Sequence, residues 1–101
     1  TLPVISLGGI GVISVFSNVF PREMKMIVDA CLNNSWNEAR KLNNQYLTMM
    51  NLLFIESSPS PAKFVAEKLG LMKNILRLPL IPVSDSSEKL LFEELKKLNK
   101  V

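Results

Sequence analysis

Few residues of this chain are of types that carry out chemistry. Its 101 residues include no histidine, so the commonest general base and the commonest metal ligand are both missing. The single cysteine, Cys31, lies on the apolar face of a predicted helix, where an inert buried thiol is favoured over a nucleophile. Glu93 and Glu94 are adjacent and would point about 100° apart on a helix, so they do not form an acid pair. These residue types predict no catalytic residue and no metal site.

A few other residues leave alternatives open. Lys63 could form an imine if it were desolvated, although a solvated position in the first turn of a helix is favoured. Ser14, Ser17 and Asn18 follow a predicted strand; they would face an active site at the carboxyl end of a barrel strand, or they bond locally to the backbone. The glycines of residues 8–11 follow a helix and open a strand, which is the wrong order for a phosphate-binding loop.

Charge and hydropathy exclude two classes of partner. The chain carries 12 Lys and Arg against 9 Asp and Glu, and these charges are scattered rather than gathered into a basic stripe with aromatic residues. We therefore expect no nucleic-acid binding. The apolar runs are too short to span a membrane, and no charged opening precedes a long apolar stretch as in a signal peptide. The chain begins with Thr1 rather than methionine, so the sequence predicts a soluble chain whose natural beginning is missing. One cysteine is compatible with a reducing compartment, and we expect a cytoplasmic location.

The first third of the chain predicts an isolated β-strand between helices. Residues 1–7 are typical of a helix end that Gly8 and Gly9 close. Gly11 leads into an apolar run, residues 12–16, whose β-branched residues and aromatic predict a strand at about 11–17, of the parallel kind that is covered on both faces. Pro21 then opens a helix over about 21–33. A parallel strand needs neighbours, and the remaining sequence predicts only helices, so the order is that of a piece cut from a βα series.

Three more helices are predicted after residue 34. The second of them has a strong start signal at Ser60 and Pro61 and ends at Gly70. The third follows an extended connector rich in proline, and Asp85 with Glu88 three residues later resembles its capping box.

Several segments together resemble one enzyme family. They are LGGIGVISVFSNVFP (7–21), EARKLN (38–43), LLFIESSPSPAK (52–63), KLGL (68–71) and LRLPLIPVS (76–84). They are similar to the dihydrodipicolinate synthase branch of the pyruvate-dependent class I aldolases, over essentially the whole chain. One departure is Ser58–Pro59, where the family usually has Asn-Pro, a conservative change for a turn.

The resemblance implies an α/β fold, with this chain as the last third of the enzyme. Residues 1–34 would supply the last strand and helix of a (β/α)₈ TIM barrel, and residues 35–101 would form a mostly α-helical C-terminal domain. The implied reaction condenses pyruvate with L-aspartate 4-semialdehyde through a lysine Schiff base, in lysine and diaminopimelate biosynthesis, without a cofactor. The family's catalytic lysine and tyrosine lie in the remaining N-terminal part, so this chain would be inactive alone.

Two positions take a role from the resemblance. Ile13 of the GVISV segment would bind pyruvate through its main chain beside the Schiff-base lysine, and Leu7 would lie at a contact within a homotetramer. Two alternatives stay open. One is a sibling aldolase that acts on N-acetylneuraminate or 2-keto-3-deoxy sugar acids. The other is a non-enzymatic helical interaction module, against which the doubly covered strand argues.

Overall fold

The computed structural model of the chain describes residues 1–100, and all the regular secondary structure in that range is helical. The chain divides into two compact units, one of residues Thr1–Leu47 and one that begins at Thr48. Its helices are α1 (Leu2–Ser6), α2 (Phe16–Val19), α3 (Pro21–Leu32), α4 (Trp36–Leu52), α5 (Ser60–Lys68) and α6 (Asp85–Lys97).

The β-strand predicted over about 11–17 is not formed within the described residues, so this part of the prediction is not confirmed. Residues 9–14 have no regular secondary structure, and α2 already begins at Phe16. The side chain of Ile13 is fully exposed, and that of Val12 is exposed as well. A strand exists only through hydrogen bonds to a neighbouring strand, and residues 1–100 supply no such neighbour. The barrel expected from the sequence is therefore not confirmed by this structure.

The first unit is built around α3, which α1 and α2 both contact. Pro21 occupies the first turn of α3, where its missing N–H leaves no hydrogen bond unmade, so the predicted helix start is confirmed. The buried side chains of α3 recur every three or four residues, which places them on one face. They are Met24, Ile27, Ala30 and Cys31.

The second unit joins α5 and α6 through an extended segment, residues 71–84. Gly70 ends the α5 region with a φ of 76°, a left-handed conformation that glycine adopts without strain. The peptide bonds Ser58–Pro59 and Leu78–Pro79 are cis. The division of the chain into domains of residues 1–34 and 35–101 stays a prediction.

The N-cap of α6 corrects the predicted capping box. Ser84, not Asp85, precedes the helix in extended conformation, and its hydroxyl accepts a hydrogen bond from the Ser87 N–H. Asp85 is already the first helical residue. The N-cap therefore lies one residue before the predicted one, and the predicted capping box of Asp85 with Glu88 is wrong.

Candidate functional site

The extended segment around Ile13 borders an open cavity of about 480 Å³. Thr1 and Val4 form one wall of this cavity, and residues 10–13 form the other. Its lining is mostly aliphatic, since Val4, Ile10, Val12 and Ile13 contribute side chains and Gly11 contributes only backbone. The sequence-predicted site residue Ile13 thus lies beside an apolar hollow, without a charged side chain in the lining.

Gly9 brings the extended segment back past α1. A Cβ at this position would lie 2.8 Å from Val4 Cγ1 and 2.9 Å from the Val4 carbonyl oxygen. The Gly9 N–H donates to that same carbonyl over 3.0 Å. Gly8, with a φ of 107°, completes the turn that closes α1. Gly8 and Gly9 thus act as helix-end and turn glycines, as the sequence predicts, and Gly9 also permits the close approach to Val4.

Ser14 and Ser17 make local hydrogen bonds directly after Ile13. The Ser14 hydroxyl accepts from the Phe16 N–H over 3.1 Å, and the Ser17 hydroxyl donates to the Ser14 carbonyl oxygen over 2.6 Å. Of the two alternatives for these serines, the structure thus contains local backbone hydrogen bonding. Sequence reasoning proposed such bonding near the strand end without identifying its partners.

An aromatic cluster holds the helix that follows Ser14. The rings of Phe16 and Phe20 are stacked with centroids 5.0 Å apart, and Tyr46 lies 5.7 Å from Phe16 and 6.3 Å from Phe20. All three side chains are buried. Aromatic pairs at these separations add stability beyond the area they bury. The end of the Ile13 segment is therefore attached to a rigid part of the first unit.

Leu7 does not line the cavity of Ile13. Its side chain is 89% exposed in the turn after α1, so within the described chain it packs against little. An exposed leucine can contact another protein surface, but neighbouring chains are needed to define one. The structure thus places the two predicted site residues, Ile13 and Leu7, at separate positions.

The two residues with reactive side chains that the sequence singles out, Cys31 and Lys63, both have structural roles. Cys31 is buried, and burial raises the pKa of its thiol, which leaves it in the unreactive protonated form. The Lys63 ammonium donates to the Ile75 carbonyl oxygen over 2.7 Å and so fastens the connector to α5. Among residues 1–100, no three acidic, cysteine or histidine side chains are grouped as metal ligands. Within the same residues no helix combines the length and the apolar character needed to cross a bilayer.

The sequence of residues 1–98 matches the Dihydrodipicolinate synthetase family. The chain belongs to this family. It is 47% identical over 98 residues to the 4-hydroxy-tetrahydrodipicolinate synthase of Methanosarcina acetivorans, a match that covers 97% of this chain and 34% of the relative. The resemblance identified in the sequence is therefore confirmed.

Solved structures of family members superpose closely on the chain. The dihydrodipicolinate synthase of Aquifex aeolicus has a TM-score of 0.94 and 41% identity, covering 98% of this chain and 34% of its own. The chloride-inhibited synthase of Acinetobacter baumannii, crystallised with pyruvate, has a TM-score of 0.93 and 31% identity, covering 99% and 34%. The chain spans about a third of the length of the relatives it matches.

Proposed function

We propose that this chain is the C-terminal part of a lyase that condenses pyruvate with L-aspartate 4-semialdehyde, in lysine and diaminopimelate biosynthesis. A lysine outside the chain would form a Schiff base with pyruvate, and a tyrosine outside it would relay protons. Residues 1–34 would then close a TIM barrel and the later residues would form the helical domain. The chain would be inactive alone, because these two residues are not in it.

Ile13 would supply main chain and an apolar wall to the pyruvate site. A backbone carbonyl can orient an ammonium or imine N–H, and an aliphatic side chain keeps water away from it. Exclusion of water lowers the pKa of an amine, which increases the neutral fraction that attacks a ketone. The exposed position of Ile13 beside an aliphatic hollow supports this role, since both its backbone and its side chain are accessible to a further structural element.

Sequence identity extending over nearly the whole chain carries the proposal. The 47% identity to the Methanosarcina acetivorans synthase includes 97% of this chain. The Acinetobacter baumannii relative, whose structure contains pyruvate, supports pyruvate as the first substrate. A homotetramer with Leu7 at a contact and a cytoplasmic location, which suits the free thiol of Cys31, complete the proposal.

A hybrid enzyme tests the function. Its sequence is that of the Methanosarcina acetivorans synthase, with the aligned segment replaced by the matching residues of this chain. Borohydride reduces an imine to a stable amine, so incubation with pyruvate and borohydride should add the mass of reduced pyruvate to the hybrid. The hybrid should also consume L-aspartate 4-semialdehyde faster than N-acetylneuraminate or 2-keto-3-deoxy sugar acids.

Two controls make the result decisive. The unmodified Methanosarcina acetivorans synthase shows the full extent of trapping, and chain 1–101 alone should acquire no pyruvate adduct. A folded hybrid that resists trapping would refute the proposed contribution to the pyruvate site. A hybrid that consumes N-acetylneuraminate or a 2-keto-3-deoxy sugar acid faster than L-aspartate 4-semialdehyde would refute the proposed reaction.

A further inference from the structure

Ser14 and Ser17 are placed where they can control the main chain of Ile13. We infer that these two serines are positioning residues: their hydrogen bonds to the first turn of α2 anchor Ser14, and Ser14 in turn anchors the adjoining main chain of Ile13 at the pyruvate site. The inference rests on the proposed function, because it assigns to the serines a role in that same site. Neither serine needs to touch pyruvate.

Ser14 is held through two different atoms. Its hydroxyl oxygen accepts from the Phe16 N–H over 3.1 Å, and its carbonyl oxygen accepts from the Ser17 hydroxyl over 2.6 Å. The first bond restricts the χ1 angle of Ser14, and the second restricts the peptide group on its C-terminal side. Together they hold the Cα of Ser14 and the groups on it, and so fix the position of the Ser14 nitrogen, which is bonded directly to the carbonyl carbon of Ile13.

The anchor for these bonds is the aromatic cluster. Phe16, whose N–H is the first donor, is buried and stacks on Phe20 at 5.0 Å. Ser17 is the next residue of the same helical turn. The buried cluster therefore anchors Ser14 through two hydrogen bonds, one from the Phe16 N–H and one from the Ser17 hydroxyl.

Ile13 has little else to hold it within the described chain. Its side chain is fully exposed, and its backbone has no partner in a β-ladder. Reactions that depend on a single aligned carbonyl are sensitive to displacements of about 1 Å, which can cost about a hundredfold in rate. Two hydrogen bonds immediately after Ile13 are thus well placed to reduce such displacements.

The experiment uses variants of the hybrid enzyme. Ser17→Ala should slow formation of the pyruvate imine and raise the KM for pyruvate by about fivefold, the effect of one lost hydrogen bond. Ser14→Ala should act in the same direction. Ser17→Thr keeps a hydroxyl and should retain most of the parent rate. The kcat/KM for L-aspartate 4-semialdehyde should not change, because this ratio contains only the steps that follow imine formation.

Ser6→Ala is a matched control. The Ser6 hydroxyl donates to the Pro3 carbonyl oxygen three residues earlier over 2.7 Å, the same kind of bond that Ser17 makes. Ser6 is exposed in α1 and does not line the cavity of Ile13. Its substitution should leave imine formation unchanged. Thermal unfolding of each variant shows whether it is folded at the assay temperature.

The outcomes separate this inference from the proposed function. If the parent hybrid is trapped by borohydride and folded Ser17→Ala reacts with pyruvate at the parent rate, the positioning role is overturned. It is also overturned if Ser17→Thr is as slow as Ser17→Ala, or if both KM values stay constant while only kcat falls. A parent hybrid that is never trapped instead refutes the proposed function itself.

Discussion

Glu56 and Ser84, 28 residues apart in sequence, are joined by two hydrogen bonds to one carboxylate oxygen. The backbone N–H of Ser84 donates to Glu56 Oε2 over 3.0 Å, and the Ser84 hydroxyl donates to it over 2.8 Å. The same hydroxyl accepts from the Ser87 N–H as the N-cap of α6. The loop after α4 is thereby tied to the first turn of α6, so the charge of Glu56 should influence the stability of the second unit.

Glu56→Gln should remove a pH-dependent part of that stability. Hydrogen bonds from the Ser87 hydroxyl, and then from the N–H and hydroxyl of Ser84, hold the pKa of Glu56 below its ordinary value of 4.5. A carboxylate whose pKa is lower in the folded state stabilises the fold above its unfolded pKa, and the contribution disappears as the pH falls through the folded pKa. The thermal midpoints of the hybrid enzyme and of the variant should therefore differ at neutral pH and converge in acid below 4.5.

The control for this prediction is Glu93→Gln, which removes a charge from an exposed position of α6. It shows the effect of net charge without the bonds to Ser84. A difference between the hybrid and Glu56→Gln that stayed constant with pH would contradict the assignment to the Glu56 carboxylate.

Ser84→Ala should destabilise α6 more than Asp85→Ala does. The first substitution removes the observed N-cap, at a typical cost of about 1 kcal/mol, and also one bond to Glu56. The second removes only a favourable charge in the first helical turn, at a cost of about 0.3–1 kcal/mol. Urea unfolding of the two hybrid variants measures the difference. An equal or larger loss for Asp85→Ala would instead favour the cap predicted from the sequence.

Ser60→Ala should weaken the attachment of the connector to α5. Ser60 is 3% exposed, and its hydroxyl donates to the Ile81 carbonyl oxygen over 2.8 Å. Loss of a donor to a part-buried carbonyl costs about 1–3 kcal/mol, which urea unfolding can detect. Ser57→Ala, at an exposed position in the loop before α5, should change the unfolding free energy by less than about 0.5 kcal/mol. Equal effects of the two substitutions would show that the hydrogen bond to Ile81 makes no measurable contribution to the free energy of unfolding.

Leu7→Asp should weaken the proposed tetramer. The Leu7 side chain is 89% exposed within the described chain, so the substitution leaves the core of the first unit unchanged. Burial of a leucine at an interface stabilises association by about 1.5–3 kcal/mol, and a carboxylate would lose this and add a desolvation cost. Sedimentation velocity of the hybrid enzyme should show smaller species at the same concentration. Leu7→Met serves as the apolar control, and an unchanged tetramer in the Asp variant would exclude Leu7 from the contact.

Local signals in the sequence predicted the starts of α3 and α5 and the end of the α5 region. Pro21 at the start of α3 and Gly70 after α5 act through backbone geometry that depends on the residue itself and its immediate neighbours. Ser60 and Pro61 likewise begin α5 as expected. In these places the physical cause lies within a few residues, so the amino-acid types suffice.

Features that depend on distant partners were not predictable in the same way. The strand expected at about 11–17 needs neighbouring strands, and residues 1–100 contain none. The cap of α6 falls on Ser84 rather than Asp85, and the Ser84 hydroxyl is bonded to Glu56, which is far away in sequence. The roles of Ile13 and Leu7 came from resemblance to a family, since two aliphatic side chains carry no chemical signal of their own.

Backbone without a ladder partner, such as that of residues 10–13, presents N–H and C=O groups that can template the addition of a strand. Ile10 and Ile13 add exposed aliphatic side chains to it. We therefore expect chain 1–101, when produced alone, to self-associate to an extent that rises with its concentration.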